Sequence, residues 1–194
     1  KMLRRIWRLD FERDVQPDEF PDVWRRIVDP PASYHTYAPM RLVTAPVHSG
    51  KRAFSMELYG GSAGVVIRDI EPRTERADYI PVKSDGYYLF SAWFTATFPQ
   101  STPPRHTRLH FALVLYDSED PDLRKVIARV EAPPLRVDRG GWQRVEITMD
   151  RPPSSALFLD VEIRMVSPPE EFQGTVIVDD AVVELIPRFE VVWP

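Results

Sequence analysis

The sequence predicts an all-β fold, a two-sheet β-sandwich of the jelly-roll type. Apolar and polar residues alternate over many short segments, which is the period of a strand with one buried face. The chain contains 20 prolines in 194 residues, against an average share of about 5%, and many of them stand in pairs between these segments. Because proline is excluded from the interior of most strands, this distribution indicates short strands joined by many loops.

The composition is typical of one soluble globular domain. Hydrophobic residues make up 43% of the chain and charged residues 28%, and a chain of this length can bury a core of its own. No apolar run approaches the roughly 20 residues that span a bilayer. The net charge of −4 disfavours nucleic acid as a partner, since domains that bind it concentrate basic residues. The absence of cysteine excludes disulfides and thiolate metal sites.

The alternation predicts strands along the whole chain. After the first strand comes an irregular section, 13–39, in which Asp22–Val28 is predicted to form a short helical turn around Trp24. The glycine-rich Gly60–Gly64 is predicted to be a hairpin turn. The strands are predicted at Arg4–Glu12, Met40–Ala45, Arg52–Leu58, Ala63–Ile70, Gly86–Phe98, Thr107–Asp117, Lys125–Val130, Gly141–Asp150, Ala156–Val166 and Gly174–Ile186.

Three of these strands have a clear core face, since large apolar residues recur at every second position. The predicted core residues are Tyr88, Phe90, Ala92 and Phe94 on the first, Leu109, Phe111, Leu113 and Leu115 on the second, and Leu157, Leu159, Val161, Ile163 and Met165 on the third.

An acidic pair interrupts the last predicted strand. Asp179 and Asp180 stand between two runs rich in β-branched residues. Successive strand residues point to opposite faces, so one of the two carboxylates is expected to face inward. A buried carboxylate is costly unless it is hydrogen-bonded, paired or bound to a metal. Since its neighbours are apolar, its partner must come from elsewhere in the chain, and Asp10–Glu12 is the best candidate.

The alternation also predicts a surface rich in aromatic and charged side chains, provided that neighbouring strands share a sheet. Aromatic rings stack on the C–H face of a sugar while charged side chains bind its hydroxyls, so this mixture suits a glycan. The alternative is an ordinary solvent-facing sheet with cross-strand ion pairs. The non-core face is predicted to carry Tyr87, Trp93, Arg108, His110, Tyr116, Arg144, Glu146, Asp160, Glu162 and Arg164.

Five short motifs occur in order along the chain. They are Phe11-Glu12, His48-Ser49-Gly50-Lys51, Tyr88-Leu-Phe-Ser-Ala-Trp93, Gly141-Trp142 and Val178-Asp179-Asp180-Ala181-Val182. Together they resemble the galactose-binding-like jelly rolls, especially the carbohydrate-binding modules that accompany bacterial glycoside hydrolases. The resemblance covers nearly the whole chain. It implies a noncatalytic module of a larger exported bacterial protein, extracellular or periplasmic, whose partner is a polysaccharide or oligosaccharide.

The resemblance further implies a structural calcium ion between the first and last strands. Its ligands would be Glu12, Asp179 or Asp180, and backbone carbonyls near Lys51. The alternative is that the inward carboxylate accepts hydrogen bonds from Arg or from backbone N–H groups. The binding site is predicted on the concave sheet face, with Trp93 as the stacking platform, and the abundance of Arg favours an anionic glycan or no glycan. The ligand-binding residues are predicted to be Tyr87, Trp93, Arg108, His110, Tyr116, Glu162 and Arg164.

Two other functions compete with this interpretation. A structural or interaction domain would use the same face to dock a protein, but such a face should have an apolar centre and a polar rim. A polysaccharide lyase would use His110, Tyr116 and Arg108 as base, acid and charge neutraliser. His110 and Tyr116 lie six residues apart on one strand, or roughly 20 Å, too far to act on one bond. We expect one domain at 1–187, followed by a tail or the start of another domain at 188–194.

Overall fold

The computed structural model describes thirteen strands, and no helix occurs among the described residues. These residues are 4–12, 21, 24–28, 39–57, 61–67, 80–98, 104–118, 120, 123–168 and 174–188. The strands are β1 (Arg5–Arg8), β2 (Trp24–Val28), β3 (Met40–Val43), β4 (Ala53–Met56), β5 (Gly61–Ile67), β6 (Ile80–Pro81), β7 (Gly86–Thr97), β8 (Arg108–Tyr116), β9 (Val126–Glu131), β10 (Leu135–Arg136), β11 (Gln143–Met149), β12 (Phe158–Ser167) and β13 (Thr175–Pro187). None of the described segments is a helix able to cross a membrane.

The strands form two antiparallel sheets, as the sequence predicts. Sheet I has the order β11-β7-β13-β4-β3, with β1 also paired to β13. Sheet II has the order β10-β8-β12-β5-β2, with β9 beside β8 and β6 beside β12. Consecutive strands often lie in different sheets, so the chain crosses repeatedly between them. The result is a jelly-roll sandwich with one core between its two layers.

The core consists of the inward side chains of both sheets, and the predicted alternation is confirmed on β7, β8 and β12. Phe90 and Phe94 of sheet I meet Phe111 of sheet II, with ring centroids 5.9 and 6.1 Å apart. Every predicted core residue on these strands is buried except one. Leu157 is 49% exposed, because β12 begins only at Phe158 and Leu157 belongs to the preceding turn.

Two predictions of local structure are wrong. Trp24–Val28 is an edge strand rather than a helical turn, since it pairs along its length with β5, and tertiary pairing outweighs a short local pattern. The hairpin predicted at Gly60–Gly64 is wrong in its described part, because Gly61–Gly64 lie in β5, in the sheet opposite to β4, while Gly60 lies outside the described residues. At Gly64 an added Cβ would come within 1.9 Å of the Ile163 carbonyl oxygen, so glycine is required by the close approach of β12.

Candidate functional site

A β-bulge at the acidic pair departs from the predicted alternation. Asp179 pairs with Trp93 and Val182 with Ser91, so two residues of β13, Asp180 and Ala181, face one residue of β7. Asp180 has a φ of +52°, the left-handed conformation that Asp and Asn tolerate better than other non-glycine residues. The prediction that the two carboxylates point to opposite faces is therefore wrong. Both turn toward the same loop, 44–52, which joins β3 to β4.

Asp179 is fully buried beneath this loop, on the outer side of sheet I. Its Oδ2 accepts hydrogen bonds from the backbone N–H groups of His48 at 2.8 Å and Ser49 at 3.1 Å, and its Oδ1 accepts one from the N–H of Asp180 at 2.7 Å. Burial raises the pKa of the Asp179 carboxyl even against these three donors. The inward carboxylate of the sequence prediction is thus covered by a loop rather than by the core, and backbone N–H groups satisfy it.

The same loop binds the carboxylate of Glu12. Both oxygens of Glu12 accept from the N–H of Lys51 at 3.1 Å, and Oε1 also accepts from the N–H of Arg52 at 3.3 Å. Gly50 has a φ of +66°, and a Cβ there would lie 2.1 Å from Oε1 of Glu12, so the loop can close on the carboxylate only with glycine at this position. The loop therefore connects the chain just after β1 to the middle of β13.

The arrangement of these residues does not fit the calcium ion that the resemblance implies. Calcium requires several oxygen ligands, whereas the loop presents backbone N–H donors to Glu12 and Asp179. Among the residues that the structure describes, no group of three acidic or histidine side chains could hold a metal ion. Hydrogen bonding to backbone N–H groups, the alternative left open by the sequence, is what the structure contains, and calcium stays an untested prediction.

Thermal unfolding with and without calcium tests this point. Because hydrogen bonds already satisfy the two carboxylates, we expect the same melting temperature in EDTA and in millimolar calcium chloride. A melting temperature that rises with calcium concentration, as mass action requires for an ion bound only to the folded state, would contradict this expectation. Magnesium chloride at the same ionic strength is the matched control.

The carboxylate of Asp180, at the bulge, contacts a cluster of three aromatic rings. Oδ2 of Asp180 lies 2.6 Å from Nδ1 of His48, and its Oδ1 accepts a hydrogen bond from the hydroxyl of Ser49. The His48 imidazole stacks on Trp93, with ring centroids 4.2 Å apart and an interplanar angle of 15°. Trp142 meets the same imidazole edge to face at 5.3 Å and 70°. We call Trp93, His48 and Trp142 the aromatic cluster.

The aromatic cluster is open to solvent in part. The side chain of His48 is 28% exposed and that of Asp180 29%, and both tryptophans are half-buried. In the described part of the chain, the structure gives no protein hydrogen bond to the indole N–H of Trp93 or Trp142, or to Nε2 of His48. The two indole N–H donors and Nε2 of His48 therefore belong to a rigid, partly exposed group of rings.

The outer face of sheet I continues from the cluster along β7. Tyr87, Leu89 and Ser91 alternate with the core residues of β7 and so share the face of Trp93. On the neighbouring β11, Arg144 pairs directly with Trp93, and its guanidinium is bound to Glu146. The cluster is thus the aromatic end of a mixed apolar and polar surface. We call this surface, Tyr87 to Trp93 with its neighbours on β11, the β7 face.

The predicted set of ligand-binding residues is divided between the two sheets. Trp93 and Tyr87 lie on the outer face of sheet I. Arg108, His110 and Tyr116 belong to β8, and Glu162 and Arg164 to β12, on the outer face of sheet II. These outer faces point away from each other across the core. The assumption that all these strands share one sheet is wrong, so the seven residues cannot contact one ligand together.

On sheet II the charged residues bind each other. Glu162 is 8% exposed and accepts hydrogen bonds from Nη2 of Arg129 at 2.6 Å and from Nε of Arg164 at 3.1 Å. Arg108 donates to the carbonyl oxygens of Arg105 and Thr107. The alternative of cross-strand ion pairs therefore holds for this face. On the same face the Arg124 guanidinium covers the ring of Tyr116, and burial lowers the pKa of His110.

The ion pairs of Glu162 predict a pH dependence of stability. Burial alone would raise the pKa of Glu162, but Arg129 and Arg164 outweigh it and hold the pKa below its usual value. A carboxyl with a lowered pKa stabilises the fold above its unfolded value of about 4.3, and this stability is lost as the pH falls through the folded value. We expect Glu162→Gln to cost about 2 kcal/mol of unfolding free energy at neutral pH.

Urea unfolding of wild type and Glu162→Gln across acidic pH measures this difference. It should shrink as the pH falls below the unfolded value of about 4.3 and through the lower folded pKa, where the wild-type carboxyl also becomes neutral. Glu131→Gln is the matched control, because Glu131 also binds Arg129 but its side chain is 51% exposed. A difference that persists unchanged in acid would mean that Glu162 acts through packing rather than through its charge.

Sequence reasoning missed His48, Ser49 and Trp142 as site residues. His48-Ser49 and Gly141-Trp142 were visible as motifs of the resemblance, but both stand in loops, where strand alternation assigns no face. The signal that could have found them is an aromatic or imidazole ring within two residues of a glycine in a loop. Both Gly50 and Gly141 have a positive φ, which marks tight turns in the loops that carry His48, Ser49 and Trp142.

No family model and no curated protein matches the sequence, but solved structures match the fold. The CBM22-1 xylan-binding domain of Xyn10C from Paenibacillus barcinonensis is 13% identical, with a TM-score of 0.52, and the match covers 96% of this chain and 95% of that one. The apo form of a cyclase from Fischerella sp. is 14% identical, with a TM-score of 0.54, over 93% of this chain and 94% of that one.

Larger proteins contain the same fold as one part. An arabinose-bound GH51 α-L-arabinofuranosidase is 15% identical, with a TM-score of 0.52, over 84% of this chain, which spans only 23% of the enzyme's length. At these identities the similarity is one of fold, and both binding modules and enzymes share it. The chain is an all-β jelly-roll sandwich, a fold that it shares with solved carbohydrate-binding modules such as the CBM22-1 domain and a family 11 module.

Proposed function

We propose that this protein is a noncatalytic carbohydrate-binding module that binds a polysaccharide or oligosaccharide on the β7 face. The aromatic cluster is the observation that carries the proposal. Its rings are partly exposed and fixed by contacts with each other, and the two indole N–H groups and Nε2 of His48 have no protein partner among the described residues. Rings of this kind stack on the apolar face of a sugar, while their N–H groups and nitrogens bind its hydroxyls.

Rigidity of the cluster strengthens the proposal. A binding site loses affinity when its side chains must be ordered by the ligand, so prior fixation favours binding. His48 is fixed on one side by Trp93 and at Nδ1 by Asp180, and its backbone is fixed by Asp179. Because the imidazole covers one face of Trp93, we assign the stacking role to Trp142. Trp93 then supports the platform that the sequence assigned to it alone.

An enzyme is the second candidate, and one contact favours it. A carboxylate hydrogen-bonded to Nδ1 of a histidine, as Asp180 is to His48, is the arrangement that orients a general base. The fold also occurs in a cyclase and in glycoside hydrolase structures. The lyase residues His110 and Tyr116, by contrast, lie on the outer face of sheet II, away from this pair.

The location of the protein and the presence of neighbouring domains are part of the same proposal. A module that binds polysaccharide acts where polysaccharide is found, so we propose an extracellular or periplasmic location in bacteria. The match to part of a larger glycoside hydrolase structure supports further domains in the parent protein. The tail predicted at 188–194 lies outside the described residues apart from Arg188, which binds Asp150.

Incubation of the protein with an array of neutral and anionic polysaccharides tests the proposal. Binding is recorded by affinity electrophoresis and turnover by the release of reducing or unsaturated ends. We expect binding without turnover. Release of sugar ends that depends on His48 would favour the enzyme, and the absence of binding to every polysaccharide would leave a docking domain as the better account.

A further inference from the structure

We propose that Asp180 is a positioning residue that fixes the tautomer of His48, so that the site selects neutral sugars through a hydroxyl donor. This inference rests on the proposed function, because it names the ligand class of the same site. It concerns a residue that the resemblance assigns to calcium instead.

The bulge holds the Asp180 carboxylate in one orientation. Its left-handed φ of +52° turns the side chain toward loop 44–52, and the hydroxyl of Ser49 binds the oxygen that His48 does not use. Both carboxylate oxygens are therefore engaged by the loop. The loop in turn is fixed by the two N–H bonds that His48 and Ser49 donate to Asp179, so the Asp180 to His48 contact belongs to a rigid frame.

A carboxylate accepts hydrogen bonds but cannot donate them, so Nδ1 of His48 must carry a proton in this contact. In a neutral imidazole the other nitrogen, Nε2, is then an acceptor. A ligand at Nε2 must supply a donor, while the indole N–H groups of Trp93 and Trp142 require acceptors. A sugar hydroxyl is both a donor and an acceptor. A carboxylate or sulfate group satisfies the indoles but gives nothing to Nε2.

The charges around the cluster point the same way. Asp180 places a partly exposed negative charge beside His48. The guanidinium of Arg144, directly across from Trp93, is bound to Glu146. Arg108 and Arg164, two of the three arginines that made an anionic glycan attractive from the sequence, lie on the outer face of the opposite sheet. The β7 face therefore lacks, within the described residues, an arginine cluster to attract an anionic glycan.

Nitrogen NMR of the histidines, combined with binding, tests both halves of the inference. At a pH of about 8, where an ordinary imidazole is neutral, we expect wild-type His48 to be protonated at Nδ1 and unprotonated at Nε2. Asp180→Gly keeps the left-handed backbone but removes the carboxylate. In this variant His48 should populate both neutral tautomers. The affinity for the best neutral glycan should fall roughly tenfold, as expected for the loss of one oriented hydrogen bond.

Two further variants separate positioning from folding. Asp180→Asn keeps the shape and one acceptor oxygen, so it should restore part of the affinity, whereas Ser49→Ala leaves His48 untouched and should change affinity less than Asp180→Gly. All variants should keep the wild-type fold by circular dichroism. Proton at Nε2 in the wild type, or unchanged affinity in Asp180→Gly, would overturn the role of Asp180. Preference for an anionic glycan would overturn the ligand class, and no glycan binding at all would overturn the proposed function itself.

Discussion

Asp179→Ala is expected to destabilise the fold by about 3 kcal/mol, the largest effect on stability that the loop contacts predict. The alanine leaves the N–H groups of His48, Ser49 and Asp180 without their acceptor beside a position that is itself fully buried. An unsatisfied buried donor costs about 1 to 3 kcal/mol, and relaxation of the loop recovers part of the total. Burial raises the pKa of the Asp179 carboxyl, so removal of its charge offsets a further part.

Urea unfolding measures this loss, and two variants serve as controls. Asp179→Asn retains one oxygen acceptor and should cost less than the alanine. Glu12→Ala removes a carboxylate from the same loop, but at a position that is more exposed, and should cost about 1 kcal/mol. Equal stability of wild type and Asp179→Ala would mean that the N–H groups find water, and that the loop is not anchored by this carboxylate.

Trp142→Ala is expected to weaken glycan binding roughly 30-fold, the largest effect on function, as for an aromatic residue at the centre of a binding site. The variant removes the ring that meets His48 edge to face and one of the two indole donors. Because Trp142 is half-buried in a loop before β11, its loss should change the unfolding free energy by less than about 1 kcal/mol. Isothermal titration with the best ligand of the array gives the affinity.

Tyr116→Ala is the matched control for Trp142→Ala. Tyr116 is also a partly exposed aromatic residue and was predicted as a ligand contact, but it lies on the outer face of sheet II. Its truncation should leave the affinity unchanged. If Tyr116→Ala weakens binding while Trp142→Ala does not, the ligand site lies on the outer face of sheet II and not on the β7 face.

The sandwich itself was predictable because strand alternation is a local property. Phe90, Phe111 and Ile163 all occur at the second-residue period of a buried face, and all lie in the core. Pairing between strands is a non-local property, and alternation does not say which strands share a sheet. For this reason Trp93 and Arg164 were assigned to one surface, although β7 and β12 belong to different layers.

The candidate site was predictable only in part, because it depends on a bulge and a loop. The acidic pair indicated a buried carboxylate in β13, and Asp179 is indeed buried and needs hydrogen-bond partners. Strict alternation, however, predicted that Asp179 and Asp180 point to opposite faces. No period in the sequence predicts the extra residue of the bulge. Loop 44–52 is held by hydrogen bonds that it donates to carboxylates distant in sequence. The contact between His48 and Trp93 could therefore not be predicted from the sequence.

Titration of the indole N–H signals with a bound glycan tests the central claim most directly. The chain has five tryptophans, and Trp24 is an internal reference, since it is buried and donates its N–H to the carbonyl oxygen of Leu9. We predict that the signals of Trp93 and Trp142 shift with glycan concentration while that of Trp24 stays in place. Saturable binding that leaves the signals of both Trp93 and Trp142 unchanged would contradict a site on the β7 face.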